Sequence, residues 1–182
     1  MAKGKDVSGI NKVAVLVEDA YQVLEVWYPY LRLREAGIET VLVGTGAKKE
    51  YGSKEGYPAR EEISIKDVKE ADFTGVVIPG GYAPDILRRY NDVNNFVRDM
   101  YEKKKVVAAI CHGGWVLVSA GILKGKKATA FSAIKDDMVN AGAEFIDKEV
   151  VVDGNLITSR NPYDLPAFCK EIIKQLKGKE IK

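Results

Sequence analysis

Four short apolar runs recur along this chain at helix-sized intervals: Val13 to Val17, Thr40 to Val43, Val76 to Ile78 and Val106 to Ile110. Each is rich in valine, isoleucine or alanine, and none alternates with polar residues. A strand with one wet face alternates, whereas a strand covered on both faces does not. Such runs belong in a parallel sheet with helices on either side. The intervening segments read as helices. Val93, Phe96, Val97, Met100 and Tyr101 follow the i, i+3, i+4, i+7, i+8 spacing of one helix face. Lys103 to Lys105 suits the last turn of that helix. Gln22 to Ala36 reads as a helix with Val23, Val26, Trp27, Tyr30 and Leu31 inward and Gly37 at its stop. Pro29 inside it predicts a kink or a broken first half. A last helix, Asp164 to Leu176, turns Phe168, Cys169, Ile172, Ile173 and Leu176 inward.

The expectation is a doubly wound α/β fold formed by one domain over residues 1–182, with residues 1–10 as a flexible tail. Two stretches depart from the strand-helix rhythm. Gly44 to Arg60 is rich in glycine and lysine and reads as a loop or small hairpin. Val150 to Val152, Asp153-Gly154 and Leu156 to Thr158 read as a β-hairpin. A net charge of +2 argues against a nucleic-acid partner. No apolar run approaches the ~20 residues of a membrane span, and the polar start shows no secretory signal. Two distant cysteines make no disulfide framework, so the expected setting is the reducing cytoplasm. The single histidine excludes two-His zinc sites, and neither a metal nor another cofactor is expected.

That histidine, His112, follows Cys111 directly. Ala109-Ile110-Cys111-His112-Gly113-Gly114 ends an apolar run and opens a helix from Trp115 to Ala120, which Gly121 closes. A sharp strand-to-helix turn needs small residues two before and two after its nucleophile, and Ala109 and Gly113 qualify. The turn would hold Cys111 strained above the C-terminal sheet edge, where open α/β sheets bind ligands. The helix start beneath it predicts a stabilised thiolate. Cys169, on the apolar face of the last helix, is a core residue by comparison. His112 serves either as general base or as a polar residue at a helix start. A base would need a carboxylate to orient it.

Pro79-Gly80-Gly81 follows the run Val76 to Ile78 at the same sheet edge. Gly80, Gly81 and His112 are candidates for an oxyanion hole, since backbone N–H groups at glycines approach a bound oxygen closely. The bland alternative is a plain turn. Asp85 lies just beyond, either as a site carboxylate or as an ordinary first-turn residue.

Together these stretches resemble the ThiJ/PfpI family of the class I glutamine amidotransferase-like fold, closest to its intracellular-protease branch. The resemblance covers about residues 12 to 177. It rests on Tyr28-Pro29-Tyr30, Ile78-Pro79-Gly80-Gly81, Ala83-Pro84, Ala109 to Gly113, Ser119-Ala120-Gly121, Ile134 to Met138, Asn140-Ala141-Gly142, Val150 to Gly154 and Ser159-Arg160. It implies a flavodoxin-like three-layer sandwich with a nucleophile elbow. It also implies homo-oligomers, a homodimer or a hexamer, and activities that include peptidase, glutathione-independent glyoxalase, deglycase and chaperone. By position Cys111 would be the nucleophile and His112 its partner. Asp85 would reach His112 from a neighbouring subunit, one methylene shorter than the family's Glu. Gln22 stands where the family usually has a Glu used as a proton shuttle, which leaves Glu18 and Asp19 as candidate bases. Gly114-Trp115 and Phe131-Ser132 replace a common Pro-Gln and Tyr-Pro, so Trp115 and Phe131 should make the pocket more apolar. Arg160 matches the family, either binding an anionic group or bridging carboxylates at an interface.

Two functions of different class follow. One is a cysteine hydrolase acting on a peptide or a small reactive aldehyde. The other is a non-catalytic redox-sensing or chaperone-like oligomer, which Gln22 favours because a glutamine cannot take up a proton. Glutamine amidotransfer is weaker, because that branch uses a second histidine.

Overall fold

The computed structural model describes residues 11–178, so the expected tail over residues 1–10 lies outside the described residues. Seven strands form one sheet. In chain order the first half runs β1 (Lys12–Val17), α1 (Val23–Glu35), β2 (Glu39–Gly44), then a small hairpin of β3 (Glu50–Gly52) and β4 (Pro58–Arg60). It continues through β5 (Ile63–Ser64), β6 (Gly75–Ile78), α2 (Ala83–Leu87) and α3 (Asn91–Glu102) to β7 (Val106–Ile110). The second half runs α4 (Gly114–Ala120), β8 (Lys127–Ala128), α5 (Lys135–Asn140) and β9 (Glu144–Phe145). It ends with β10 (Val150–Asp153), β11 (Leu156–Ser159) and α6 (Leu165–Leu176).

The order across the sheet is β10-β11-β7-β6-β1-β2-β5, and only β10 runs antiparallel. The four apolar runs are β1, β2, β6 and β7, and β6 and β7 are buried along their whole length. Helices α1 and α6 pack together, and α2, α3 and α5 each pack against α4, which gives the three layers. The segment Gly44 to Arg60 contains the β3–β4 hairpin, and residues 150–159 form the second one. Chain reversals from β6 and β7 lie side by side because these strands are neighbours in register, Ile78 opposite Ala109. The C-terminal edge there is where the two Gly-rich turns meet.

Helix α1 departs from expectation in two ways. The break allowed for at Pro29 does not occur: α1 runs through it as one helix, because Pro29 removes a single backbone donor and is itself buried. Its buried face is Glu25, Val26, Pro29, Tyr30 and Leu33, whereas Leu31 is 59% exposed. The inward stripe is thus rotated by about a quarter of a turn from the one expected, and it brings a carboxylate inside.

Candidate active site

Cys111 directly follows β7 and begins a single 3-10 turn, Cys111–Gly113, that leads into α4. Its backbone φ is +60°, in the left-handed region. For a non-glycine residue this costs roughly 1–2 kcal/mol, and it persists only where surrounding contacts hold it. The Phe131 N–H donates to the Cys111 carbonyl at 3.3 Å. Gly113 passes so close to the Ile78 carbonyl that any Cβ there would overlap it. The small-residue requirement two positions after the cysteine is therefore steric. The turn also folds two sequence neighbours together, with Cys111 Sγ 3.3 Å from His112 Nδ1.

The carboxylate of the site is Glu25, which the sequence reasoning missed. It is fully buried on α1, and its Oε2 accepts from the Gly80 N–H at 2.7 Å. A Cβ built on Gly80 would lie 2.6 Å from Glu25 Oε2 and 3.0 Å from Cys111 Sγ, so acid and thiol meet over that glycine. Glu25 Oε1 has no hydrogen-bond partner. Burial pushes the Glu25 carboxyl up to about 7, against the lowering effects of the Gly80 N–H and the Cys111 thiol. Burial, and then the charge of Glu25, push the Cys111 thiol up to about 12. Like charges this close do not both ionise, so the pair carries two protons below about pH 7 and a single one, on the thiol, above it. The expected stabilised thiolate is corrected accordingly: backbone N–H groups of His112 and Gly81 do favour it, but burial and Glu25 outweigh them. A signal for Glu25 existed. It shares a helical stripe with Val26, Pro29, Tyr30 and Leu33.

Gln22 is no substitute for that acid. It is the N-cap of α1, and its side-chain oxygen accepts from the Glu25 N–H at 3.0 Å. Glu18 is buried but turned elsewhere, toward the Thr45 hydroxyl and the Asp19 N–H at 2.9 Å. Asp19 pairs with Lys48.

Of the three oxyanion-hole candidates, Gly80 is corrected, because its N–H is already given to Glu25. The N–H groups of Gly81 and His112 face the sulfur. Gly81 has φ +80°, which only glycine adopts without strain, and bridges in antiparallel fashion to Tyr21.

His112 lies between two aromatic rings. Phe131 stacks on it with centroids 5.1 Å apart and planes 28° apart, and Trp115 meets it edge-on at 5.1 Å. Trp115 is anchored by its Nε1–H, which donates to Asp137 at 2.8 Å. Burial, then the charge of Lys54, lower the His112 pKa, so the ring is neutral near pH 7. Within this chain Asp85 is not beside His112. It pairs with Arg89 one turn along, on the exposed side of α2. Arg160 bridges Asp164 at 2.9 Å and Asp147 at 2.7 Å, and lines a groove of about 500 Å³ with Phe131. It thus bridges carboxylates, but within one chain rather than at an interface. Among the described residues no group of three or more His, Cys, Asp or Glu side chains is placed to hold a metal. Nor is any described helix long and apolar enough to cross a membrane.

The DJ-1/PfpI family model matches residues 11–175. The chain is 42% identical to deglycase PfpI of Pyrococcus furiosus over 166 residues, 91% of this chain and 99% of that one. It is also 42% identical to YraA of Bacillus subtilis, whose name proposes a cysteine protease, over 92% of this chain and 99% of that one. Among solved structures, a two-domain protein from Anabaena variabilis with DJ-1/ThiJ/PfpI-like and ferritin-like domains matches with a TM-score of 0.90. That match has 42% identity and covers 93% of this chain but only 49% of the other.

Proposed function

This chain belongs to the DJ-1/PfpI family, and from that premise we propose that it is a cysteine-nucleophile hydrolase of the deglycase type, acting on small reactive carbonyls or the adducts they form. The observation that carries this is the meeting of Cys111 and buried Glu25 over Gly80. A thiol pushed up to about 12 is a poor nucleophile unless a base removes its proton during attack. A carboxylate of pKa about 7 is matched to that task near neutral pH.

In this scheme Cys111 Sγ bonds to an aldehyde carbon while its proton passes to Glu25. The carbonyl electrons move to oxygen, which the Gly81 and His112 N–H groups receive. Glu25 hands that proton to the oxyanion, completing the hemithioacetal of a 2-oxoaldehyde, and, again a carboxylate, takes the proton from the thiol-bearing carbon and returns it to the adjacent carbonyl carbon, giving a thioester. Water adds to the thioester, the C–S bond breaks, and the thiol regains a proton. His112, neutral and held between Phe131 and Trp115, is the acceptor for the proton of that water.

The support that Gln22 lent to a non-catalytic sensor falls away, because Gln22 caps a helix and Glu25 supplies the acid. The proposal extends to a homodimer, in which Asp85 of one copy approaches His112 of the other, and to a cytoplasmic setting that keeps both cysteines reduced. The test is turnover of methylglyoxal, of a glycated amino acid and of a peptide by wild type and Cys111→Ala. Turnover by wild type and its loss in the variant are expected. Equal rates on every carbonyl tested would end the hydrolase reading.

A further inference from the structure

The turn of the β3–β4 hairpin reaches the site along a short backbone ladder. Ser53 bridges to Tyr21, and Tyr21 bridges on its other side to Gly81. The Lys54 N–H donates to the Tyr21 carbonyl at 3.0 Å, and the Tyr82 N–H donates to the Ala20 carbonyl at 2.9 Å. Lys54 therefore sits two strand spacings, roughly 10 Å, from the backbone of Gly81. A flexible four-carbon stem carries its charge across part of that gap.

The lysines of this segment are not equivalent. Lys48 is paired with Asp19, and Lys49 with buried Glu61 at 2.9 Å. The acid nearest Lys54 is Glu55 at 3.7 Å, and both side chains are exposed. Glu55 also uses its other oxygen to accept from the Val23 N–H at 3.3 Å. Arg160, the cation first considered for an anionic group, is taken by two carboxylates. Lys54 thus has the loosest partner of these cations. Its charge also reaches inward, lowering the pKa of both Glu25 and His112.

We propose that Lys54 is the anion-recognising residue of the site, so that the substrates it favours are small carbonyl compounds bearing a carboxylate. This rests on the Cys111-centred site proposed above and narrows its substrate class. An ammonium at the rim draws an anion to the sulfur and holds its charged end while the carbonyl faces Cys111.

Iodoacetate and iodoacetamide test this without any turnover, because they are nearly the same size and differ in charge. In each, Sγ displaces iodide, the C–S bond forms as the C–I bond breaks, and the thiol proton leaves to Glu25. The readout is the ratio of the two alkylation rates at Cys111, followed by mass spectrometry. In Lys54→Met the iodoacetate-to-iodoacetamide ratio should fall about threefold to tenfold, the size expected of one charge at this range. Lys54→Arg should restore it, and 0.5 M salt should shrink the wild-type preference, by screening. A ratio unmoved by Lys54→Met overturns the proposal, as does a Cys111 inert to both reagents. A ratio that falls in an enzyme without carbonyl turnover supports anion recognition and sinks the hydrolase reading alone. For turnover, kcat/KM on 4,5-dioxopentanoate, a 2-oxoaldehyde bearing a carboxylate, relative to methylglyoxal should fall by a similar factor, mainly through KM.

Discussion

Cys111 and Cys169 form a controlled pair within one molecule. They are 8% and 1% exposed, and burial is the main force pushing both thiols up to about 12. Their surroundings then diverge. Cys169 lies on the inner face of α6, where, among the described residues, the one charge that acts on it appreciably is that of Arg32, which lowers its pKa. Cys111 sits at φ +60° at the head of α4, with Glu25 across Gly80, His112 Nδ1 at 3.3 Å and two backbone N–H groups facing its sulfur. The difference teaches that a depressed thiol pKa is not what distinguishes the candidate nucleophile. What distinguishes it is a neighbour able to take its proton.

The largest effect should come from exchanging the roles of the pair. Cys111→Ala should lower kcat/KM on carbonyl substrates by about 10³-fold or more, the usual loss when a covalent nucleophile is removed. Cys169→Ala should leave kcat/KM within twofold and cost roughly 1 kcal/mol of stability, because a small core group is lost. Steady-state kinetics and urea unfolding of both variants check this. Loss of turnover in Cys169→Ala alone would break the comparison.

Glu25 gives the next effect and a pH test of sign. Its folded pKa of about 7 lies above the ordinary carboxylate value of 4.5, so the folded state holds a proton that the unfolded state releases. Stability should be greatest below pH 4.5 as far as this group is concerned, and should fall as pH rises from 4.5 through 7. The total is roughly 3 kcal/mol, because each tenfold difference in proton affinity between the folded and unfolded states is worth about 1.4 kcal/mol. Activity should run the opposite way, rising through about pH 7 as Glu25 becomes able to accept a proton. Glu25→Gln should remove both slopes, losing about 10²- to 10⁴-fold in kcat while becoming more stable than wild type at about pH 8. Thermal unfolding and pH-rate profiles of the two proteins decide it. A variant that keeps the activity slope would assign the titration to another group.

His112 should matter less than Glu25. If Glu25 takes the thiol proton, the imidazole serves the later water step. Phe131→Ala, which removes the stacked ring, should reduce kcat by about tenfold through loss of a fixed orientation. The expected signature is a fall in kcat with KM little changed. A drop as large as that of Glu25→Gln would move the principal base from α1 to the elbow.

Much of this is legible in the chain because it is local. The two-sided apolar runs became β1, β2, β6 and β7, and the small residues around Cys111 became a turn whose tightness Gly113 and the Ile78 carbonyl explain. What the pattern misses is rotation about a helix axis. Placing Leu31 inward rather than Leu33 turns α1 enough to send Glu25 to solvent, and apolar content alone does not separate the two choices. Only packing against the sheet does. The same rotation makes Gln22 look like the critical departure, because the acid that matters lies three residues on. Arg160 is undecided in the sequence for a different reason, since its partner Asp164 is local but Asp147 is brought to it across the β10–β11 hairpin.

The smallest effect is the one that separates Gln22 from Glu25 most sharply. Gln22 Oε1 accepts from the Glu25 N–H, so it satisfies a donor of the first helical turn and touches the backbone, not the carboxylate, of the residue that meets Cys111. Gln22→Ala should therefore cost about 1 kcal/mol of stability, the ordinary worth of an N-cap, with kcat/KM reduced no more than a few-fold. Gln22→Glu should keep the acceptor and place a negative charge at the positive end of α1, which is favourable there. It should leave carbonyl turnover near the wild-type level rather than create it. If Gln22→Glu instead raised turnover by about tenfold or more, the proton shuttle would belong to the position before the helix. The contrast between Cys111 and Cys169 would then need another explanation than Glu25.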